Sequence, residues 1–306
     1  MTTENLNSQE NLKIPRVSIG MPVYNGEQYI EETLDSVLSQ TFQEFILYIA
    51  DNASTDRTEE ICRSWAKKDS RIVYIRNKEN IGAARNYEVC FAPAQSEYFR
   101  WQSADDPIEP NLIEECLKVL DADPSVVLAY GKSDIIDGKG NFVRKYDDNL
   151  ELMQLSPVER FITCLANIDL QNLTYGLIRR EALEKTARVQ AFVSSDINLI
   201  AELTLYGKFF EIQKHLFNCR RHEKCSSWDM SDSETLRRFY NPSKNRLFLQ
   251  SWRAAYEFYK AVIRAPISFK DKKTISYFLL KYNYWRKHVM FSELSDFIRF
   301  VILRMS

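Results

Sequence analysis

The chain has 306 residues, of which 45% are hydrophobic and 13% aromatic, enough for one large domain with an extension. Its formal net charge of −1 gives no reason to expect a nucleic-acid partner. The first residues are polar, and no apolar stretch approaches the length that crosses a bilayer, so neither a secretory signal nor a transmembrane helix is expected. We expect a cytoplasmic protein.

The N-terminal half alternates apolar strands with amphipathic helices. After a polar segment over 1–13, which we expect to be disordered, strands are predicted at 16–24, 45–50, 72–75 and 98–101. Helices are predicted between them, the second with Ser54 or Thr55 as its N-cap. Because the strands are continuously apolar, they predict an α/β fold with a mostly parallel sheet that helices cover on both faces.

The second half is less regular. A turn is predicted at 137–140, an extended segment at 172–178, a helix at 196–205 and a short strand at 209–212. From residue 231 the chain is aromatic and basic, with fifteen Lys and Arg against six Asp and Glu, and helices are predicted there. We therefore divide the chain into 1–13, a domain over 14–230 and a helical extension over 231–306.

Acidic side chains follow two of the predicted strands. Asp105 and Asp106 come directly after an apolar-aromatic run, and Pro107 keeps Asp106 extended. Ligands of parallel sheets collect at the carboxyl ends of the strands. Adjacent carboxylates there suit Mg²⁺ or Mn²⁺ carrying a diphosphate, whereas the plainer alternative is a solvated acidic loop. Asp51 follows the second strand and can either accept the N–H of a pyrimidine base or only turn the chain.

Three later residues are candidates for binding or catalysis. Arg85 lies in a helix start after Gly82, where a phosphate is favoured. Asp196 precedes an apolar helix and can act as a general base, or only as a first-turn aspartate. His222 follows two arginines and can ligate a metal or contact phosphate, although an isolated histidine is more often a surface residue. The two arginines can neutralise a leaving diphosphate.

Taken together, four segments resemble family 2 glycosyltransferases of bacterial type, which have the GT-A fold: 17–25, 51–56, 80–86 and 104–106. The resemblance covers about residues 14–228. It implies a central, mostly parallel sheet flanked by helices, followed here by a C-terminal helical extension. It also implies inverting transfer of a sugar from a nucleotide-diphospho-sugar, with UDP-sugar favoured, to a hydroxyl of a glycan or lipid-linked acceptor in polysaccharide biosynthesis.

The resemblance also implies a role for each matching residue. The residues that match nucleotide-sugar contacts are Pro22, Tyr24, Glu27, Asp51 as the base-reading acid, Arg85, and Asp105 on the sugar or ribose. Asp106 would ligate Mn²⁺ or Mg²⁺ directly, with His222 as a further metal ligand, and Asp196 would be the catalytic base. The chain departs from the family pattern at four positions: Asn52, Ala53, Ser103 and Ser195.

Other interpretations stay open at this point. A sugar-phosphate nucleotidyltransferase would need a glycine-rich, arginine-bearing loop after the first strand, and the segment 22–26 lacks one. A non-catalytic nucleotide-sugar or glycan-binding relative is the main alternative. The segment 231–306 is expected to pack on the catalytic domain or on a second copy of the chain. Its sharper alternative is peripheral contact with an anionic membrane at the inner face.

Overall fold

The computed structural model describes residues 14–223, 225, 239–240 and 248–305. The predicted disordered segment 1–13 lies outside the described residues, as do parts of the predicted extension, 231–238 and 241–247.

One mixed sheet forms the centre of the molecule. Its strands are β1 (Val17–Val23), β2 (Phe45–Asp51), β3 (Ile72–Arg76), β4 (Tyr98–Trp101), β5 (Val126–Asp137), β6 (Phe142–Tyr146), β7 (Leu177–Arg179) and β8 (Lys208–Arg221). The order is β3-β2-β1-β4-β7-β5-β6, with β8 also paired to β5. The pairs β1–β2, β1–β4, β2–β3 and β5–β8 are parallel. β7 runs antiparallel to β4 and β5, so the predicted mostly parallel sheet is confirmed with an antiparallel insertion.

Helices cover both faces of this sheet. They are α1 (Ile30–Leu38), α2 (Thr58–Lys68), α3 (Ala83–Phe91), α4 (Leu112–Ala122), α5 (Pro157–Asn167), α6 (Arg180–Glu184), α7 (Ser195–Leu203), α8 (Gln250–Arg264), α9 (Phe269–Trp285) and α10 (Lys287–Met305). Within the described ranges, no helix combines the length and the hydropathy that a membrane crossing requires.

Three local predictions were wrong. The second helix begins at Thr58 without Ser54 or Thr55 as its cap, because Asp56 Oδ1 accepts the Thr58 N–H at 3.0 Å instead. The segment predicted as extended at 172–178 starts as a 3₁₀ turn over Asn172–Tyr175. The short strand predicted at 209–212 continues through Arg221, since pairing with β5 extends along its whole length.

The C-terminal helices belong to the core of the molecule. One apolar cluster on the sheet includes residues of α3, α5, α7, α8 and α9 together. Phe258 of α8 is 2% exposed, and Ile275 and Leu279 of α9 are fully buried. Asn198 of α7 donates from Nδ2 to the Ala254 carbonyl of α8 at 3.1 Å. α8 therefore supports α7, the helix whose first turn carries Asp196.

Candidate active site

The carboxyl ends of β1, β2, β3 and β4 meet at one edge of the sheet, because these strands are mutually parallel. The segments that leave this edge are 24–29, 52–57, 77–82 and 102–106. They contain most of the residues that the sequence pattern singled out.

The first and second segments are held together by their own polar groups. Asn25 donates its N–H to Ser54 Oγ at 2.9 Å and accepts the Thr55 N–H at 2.8 Å. The Glu27 carboxylate accepts the Arg57 N–H at 2.9 Å, so it braces the start of α2. Pro22 lies half-buried in β1, whereas Tyr24 is 49% exposed. Of the residues predicted in this segment, Tyr24 is the side chain best placed to stack on a ligand.

Asp51 is fully buried at the end of β2, and three protein groups donate to it. Its Oδ1 accepts the Ser54 N–H at 2.8 Å, while Oδ2 accepts the Tyr74 hydroxyl at 2.6 Å and a guanidinium N–H of Arg76. The following turn places Ala53 at a φ of 61°, the left-handed region in which a side chain is strained. In this geometry Asp51 organises the turn, and no oxygen of it points into solvent.

A network of asparagines joins the second and third segments. Asn52 donates to Asn80 Oδ1 at 2.9 Å and accepts from the Ile81 N–H at 2.9 Å. Asn86 of α3 accepts from Asn77 Nδ2 at 2.8 Å and donates to the Ala50 carbonyl at 2.7 Å. This network fixes the start of α3, where Arg85 stands exposed on the first turn.

Asp105 and His222 form a pair of ligating groups at this edge. The His222 Nε2 lies 2.9 Å from Asp105 Oδ2, and their side chains are 12% and 27% exposed. Burial opposes ionisation of Asp105, but hydrogen bonds from His222 and Ser103 lower its pKa below the ordinary value. The His222 ring also packs on Tyr29, with 4.6 Å between ring centroids.

Asp106 has a different environment from its neighbour. It is 6% exposed, and its Oδ1 accepts the Arg220 N–H at 2.7 Å. Burial, followed by the negative charge of Asp105, raises its pKa well above the ordinary value. Asp106 thus ties this segment to the end of β8.

The Arg220 side chain also joins the segment 102–106 to the end of β8. It donates from Nε to the Asp105 carbonyl at 2.9 Å and from an Nη to Glu32 at 2.6 Å, and its guanidinium carbon lies 4.8 Å from the centroid of the Tyr29 ring. Its side chain is only 1% exposed. The expectation that Arg220 neutralises a leaving diphosphate is therefore not supported, because the guanidinium is committed to the protein.

The residues at this edge fit a divalent cation that shares its coordination with a ligand. Within the part of the chain that the structure describes, no three His, Cys, Asp or Glu side chains converge into a metal site. Two adjacent ligands of an octahedral Mg²⁺, each at about 2.1 Å, lie roughly 3 Å apart. The 2.9 Å between Asp105 Oδ2 and His222 Nε2 matches that separation. Magnesium sites of this kind complete their coordination with substrate phosphates and water.

Two half-buried tyrosines pack on the sheet. Tyr87 of α3 lies against Trp101 of β4, with 5.8 Å between the ring centroids, and Tyr175 stacks on Phe217 of β8 at 5.1 Å. Burial is the largest cause that raises the pKa of both hydroxyls. The sequence pattern did not single out either tyrosine, although Tyr87 follows Arg85 and Asn86 directly.

Asp196 lies on the first turn of α7, with its Oδ1 accepting the Ile197 N–H at 3.0 Å. Burial raises its pKa above the ordinary value. A carboxylate whose pKa is raised is a stronger base, which suits it to remove a proton from a hydroxyl. The preceding Ser194 has a φ of 64° and donates its N–H to the Tyr240 hydroxyl at 3.5 Å.

Comparison with known proteins identifies the class to which this mostly parallel sheet with an acidic edge belongs. The family model described as "Glycosyl transferase family 2" matches residues 18–186, more than half of the chain. The chain belongs to that family.

Two curated relatives give the extent of the similarity. An uncharacterized glycosyltransferase, RP339 of Rickettsia prowazekii, is 32% identical over 218 residues, which cover 69% of this chain and 63% of the relative. Glycosyltransferase GlyG of Streptococcus pneumoniae is 26% identical over 235 residues, covering 76% of this chain and 67% of the relative. The chain matches 26% of the length of a Rickettsia felis relative and 50% of a Rickettsia typhi relative.

Solved structures of S. aureus TarS share the fold. Residues 1–349 of TarS in complex with UDP-GlcNAc superpose with a TM-score of 0.61 at 17% identity, covering 84% of this chain and 69% of that one. The GT-A fold and the transferase class predicted from the sequence are thereby confirmed.

Proposed function

We propose that this chain is an inverting glycosyltransferase. It takes a sugar from a nucleotide-diphospho-sugar, with UDP-sugar favoured, and transfers it to a hydroxyl of a glycan or lipid-linked acceptor in polysaccharide biosynthesis. The observation that carries the proposal is the edge of the sheet where parallel strands end, at which Asp105 and His222 lie 2.9 Å apart. A solved complex of TarS with UDP-GlcNAc supports a nucleotide-sugar donor.

The reaction needs one base and one site for the leaving group. Asp196 accepts the acceptor hydroxyl proton as that oxygen bonds to the anomeric carbon. The bond between that carbon and the diphosphate oxygen breaks on the opposite side, and the diphosphate leaves with the electron pair. Because the attack and departure are in line, the configuration inverts and no protein nucleophile is required.

Asp105 and His222 would hold the divalent cation, Mn²⁺ or Mg²⁺, which neutralises charge on the diphosphate. This choice of ligands differs from the expectation that Asp106 binds the metal ion directly. We propose instead that Asp106 positions the segment, because its carboxylate is buried and one oxygen takes the Arg220 N–H. In the same way, we propose that Asp51 shapes the base pocket from behind, since Tyr74, Arg76 and Ser54 already donate to it.

Nucleotide recognition then falls to the surface of the same segments. Tyr24 offers an exposed ring for the base, with Pro22 beside it in β1 and Glu27 bracing the loop. Arg85 stands at the start of α3, where its charge can meet the diphosphate.

The donor and the base are tested in two steps. Thermal unfolding is measured with UDP-, GDP-, dTDP- and CDP-sugars, each with and without Mn²⁺. A ligand at a hundredfold over its Kd adds about 2.7 kcal/mol, which raises Tm by several degrees. A shift that requires both one nucleotide and the metal supports the donor site. The absence of any shift contradicts the proposal.

Asp196→Asn then separates binding from catalysis. We expect transfer to fall by roughly 10²–10⁴-fold, the contribution of a general base, with the donor-induced Tm shift retained. Because burial disfavours the charged form of Asp196, the neutral amide should not lower Tm. Asp35→Asn, an exposed aspartate of α1, is the matched control and should keep full activity. Full transfer by Asp196→Asn would remove Asp196 as the base, and donor binding without turnover by the unmodified chain would favour the non-catalytic alternative.

A further inference from the structure

A cleft lies between the start of α3, the segment 187–192 and the first turns of α8, beside the edge of the sheet that carries the proposed donor site. Its volume is about 820 Å³, within the range of small-ligand sites. Side chains of these three elements line it: Arg85, Gln190, Phe192, Gln250, Trp252 and Tyr256. The cleft therefore exists only because the C-terminal helices fold back onto the catalytic part of the chain.

Two aromatic rings of α8 give the cleft open apolar faces. Trp252 is 41% exposed and Tyr256 is 56% exposed. The Trp252 indole is held in place, since its Nε1 donates to the Met290 carbonyl of α10 at 2.9 Å. A ring fixed in this way loses little conformational entropy when a ligand stacks on it. Such faces are complementary to the C–H faces of sugar rings.

Polar groups beside the rings suit the hydroxyl edges of a sugar. Gln190 Oε1 is buried and has no hydrogen-bond partner among the described residues. A buried acceptor left without a donor is unfavourable, and a ligand hydroxyl would satisfy it. The acid Glu88, which also lines the cleft, is already paired with Arg188 at 2.9 Å.

The cleft is continuous with the segment that carries the base. Phe192 lines it four positions before Asp196. Gln250 accepts the Val193 N–H at 3.0 Å and also lines the cleft. A chain lying in the cleft would consequently end close to α7.

We infer that this cleft binds the saccharide chain of the acceptor and presents its terminal hydroxyl to Asp196. The inference rests on the proposed function for its catalytic meaning, but the binding site itself does not. Trp252 and Tyr256 stack on sugar rings, and Gln190 accepts a hydroxyl along their edges. The C-terminal helices thus select the acceptor.

The test measures saccharide binding apart from turnover. Purified full-length protein is applied to an array of bacterial surface oligosaccharides, and the captured saccharides are titrated against Trp252→Ala and Tyr256→Ala. We expect each variant to lose affinity by roughly tenfold, the scale of one aromatic stacking contact. The nucleotide-induced Tm shift and the slow hydrolysis of donor without acceptor should be unchanged. Trp285→Ala, which removes a Trp that is 68% exposed on α9 outside the cleft, is the control and should bind as the unmodified chain does.

Each result of the binding experiment either supports or overturns the inference that the cleft binds saccharide. If no saccharide is captured, or if both cleft variants bind within twofold of the unmodified chain, the inference is overturned. Tyr256→Ala keeps the test valid if Trp252→Ala is unstable, because removing Tyr256 leaves the Trp252–Met290 hydrogen bond intact. Asp196→Asn should retain full saccharide binding. If instead the proposed function is wrong, the unmodified chain would bind saccharide in a Trp252-dependent way but would transfer no sugar to it.

Discussion

Arg220 should stabilise the fold and the donor edge together, and Arg220→Met tests both. The substitution keeps much of the side-chain volume but removes a charged donor to the Asp105 carbonyl, an ion pair with Glu32 and the contact with Tyr29. Because the guanidinium is 1% exposed, water cannot replace these contacts.

The magnitude follows from the contacts. A hydrogen bond from a charged donor contributes about 1.5–3 kcal/mol, and the cation–π contact adds roughly 0.5–2 kcal/mol. The ion pair counts for about 1 kcal/mol at most, since the Glu32 side chain is 54% exposed. We therefore expect a loss of about 3 kcal/mol, or roughly 5–10 °C in Tm. Metal-dependent donor binding should weaken too, since the Asp105 main chain loses its anchor.

The control is Arg63→Met, read by thermal unfolding and by donor titration with and without Mn²⁺. Arg63 also pairs with a carboxylate, Glu59 at 2.8 Å, and lies over a ring, Tyr74, but its side chain is 56% exposed. Arg63→Met should lower the free energy of unfolding by less than about 1 kcal/mol. Equal Tm changes for the two variants would refute the argument that burial makes Arg220 important.

Two further predictions concern pH and the C-terminal helices. Burial raises the pKa of Asp148 to about 7, so its ionisation destabilises the fold as pH rises from about 4 to 8. Asp148→Asn should therefore raise the free energy of unfolding by up to roughly 4 kcal/mol at about pH 8, and by much less at about pH 5. An equal Tm change at both pH values would contradict this. On α9 and α10, Lys281 and Lys287 lie over exposed tyrosine rings, a mixture suited to an anionic bilayer surface. The membrane alternative for this segment would require Lys281→Glu with Lys287→Glu to reduce co-sedimentation with phosphatidylglycerol vesicles relative to Lys67→Glu with Lys68→Glu on α2. Equal sedimentation of both pairs would exclude the contact.

The core of the catalytic half was readable from the sequence. Strands β1, β2 and β4 appear as mostly apolar runs because each is buried on both faces, and the polar residues that end them mark one edge of the sheet. The positions of Asp51, Asp105 and Asp106 at that edge follow from the rule that parallel strands share a carboxyl end. These are local patterns, so one sequence is enough to find them.

Tertiary structure decided how those residues are used. Asp51 and Asp106 have the same side chain as Asp105, but burial and donors from Tyr74, Arg76 or Arg220 commit them to the protein. Those donors come from other strands, and for Asp106 from a residue 114 positions away, so no local pattern reports them.

The sequence by itself determined the family, through the resemblance of four short segments. It also determined the sheet and the acidic edge, because short-range apolar periodicity encodes the strands and the polar residues that end them. It did not determine that α8 and α9 enter the core or that Trp252 faces the segment leading to Asp196. A basic, aromatic helix has the same composition whether it covers a core, lines a cleft or meets a membrane. Only the long-range packing of α8 on α7 decides among these, since burial is a property of the partner surface as much as of the helix.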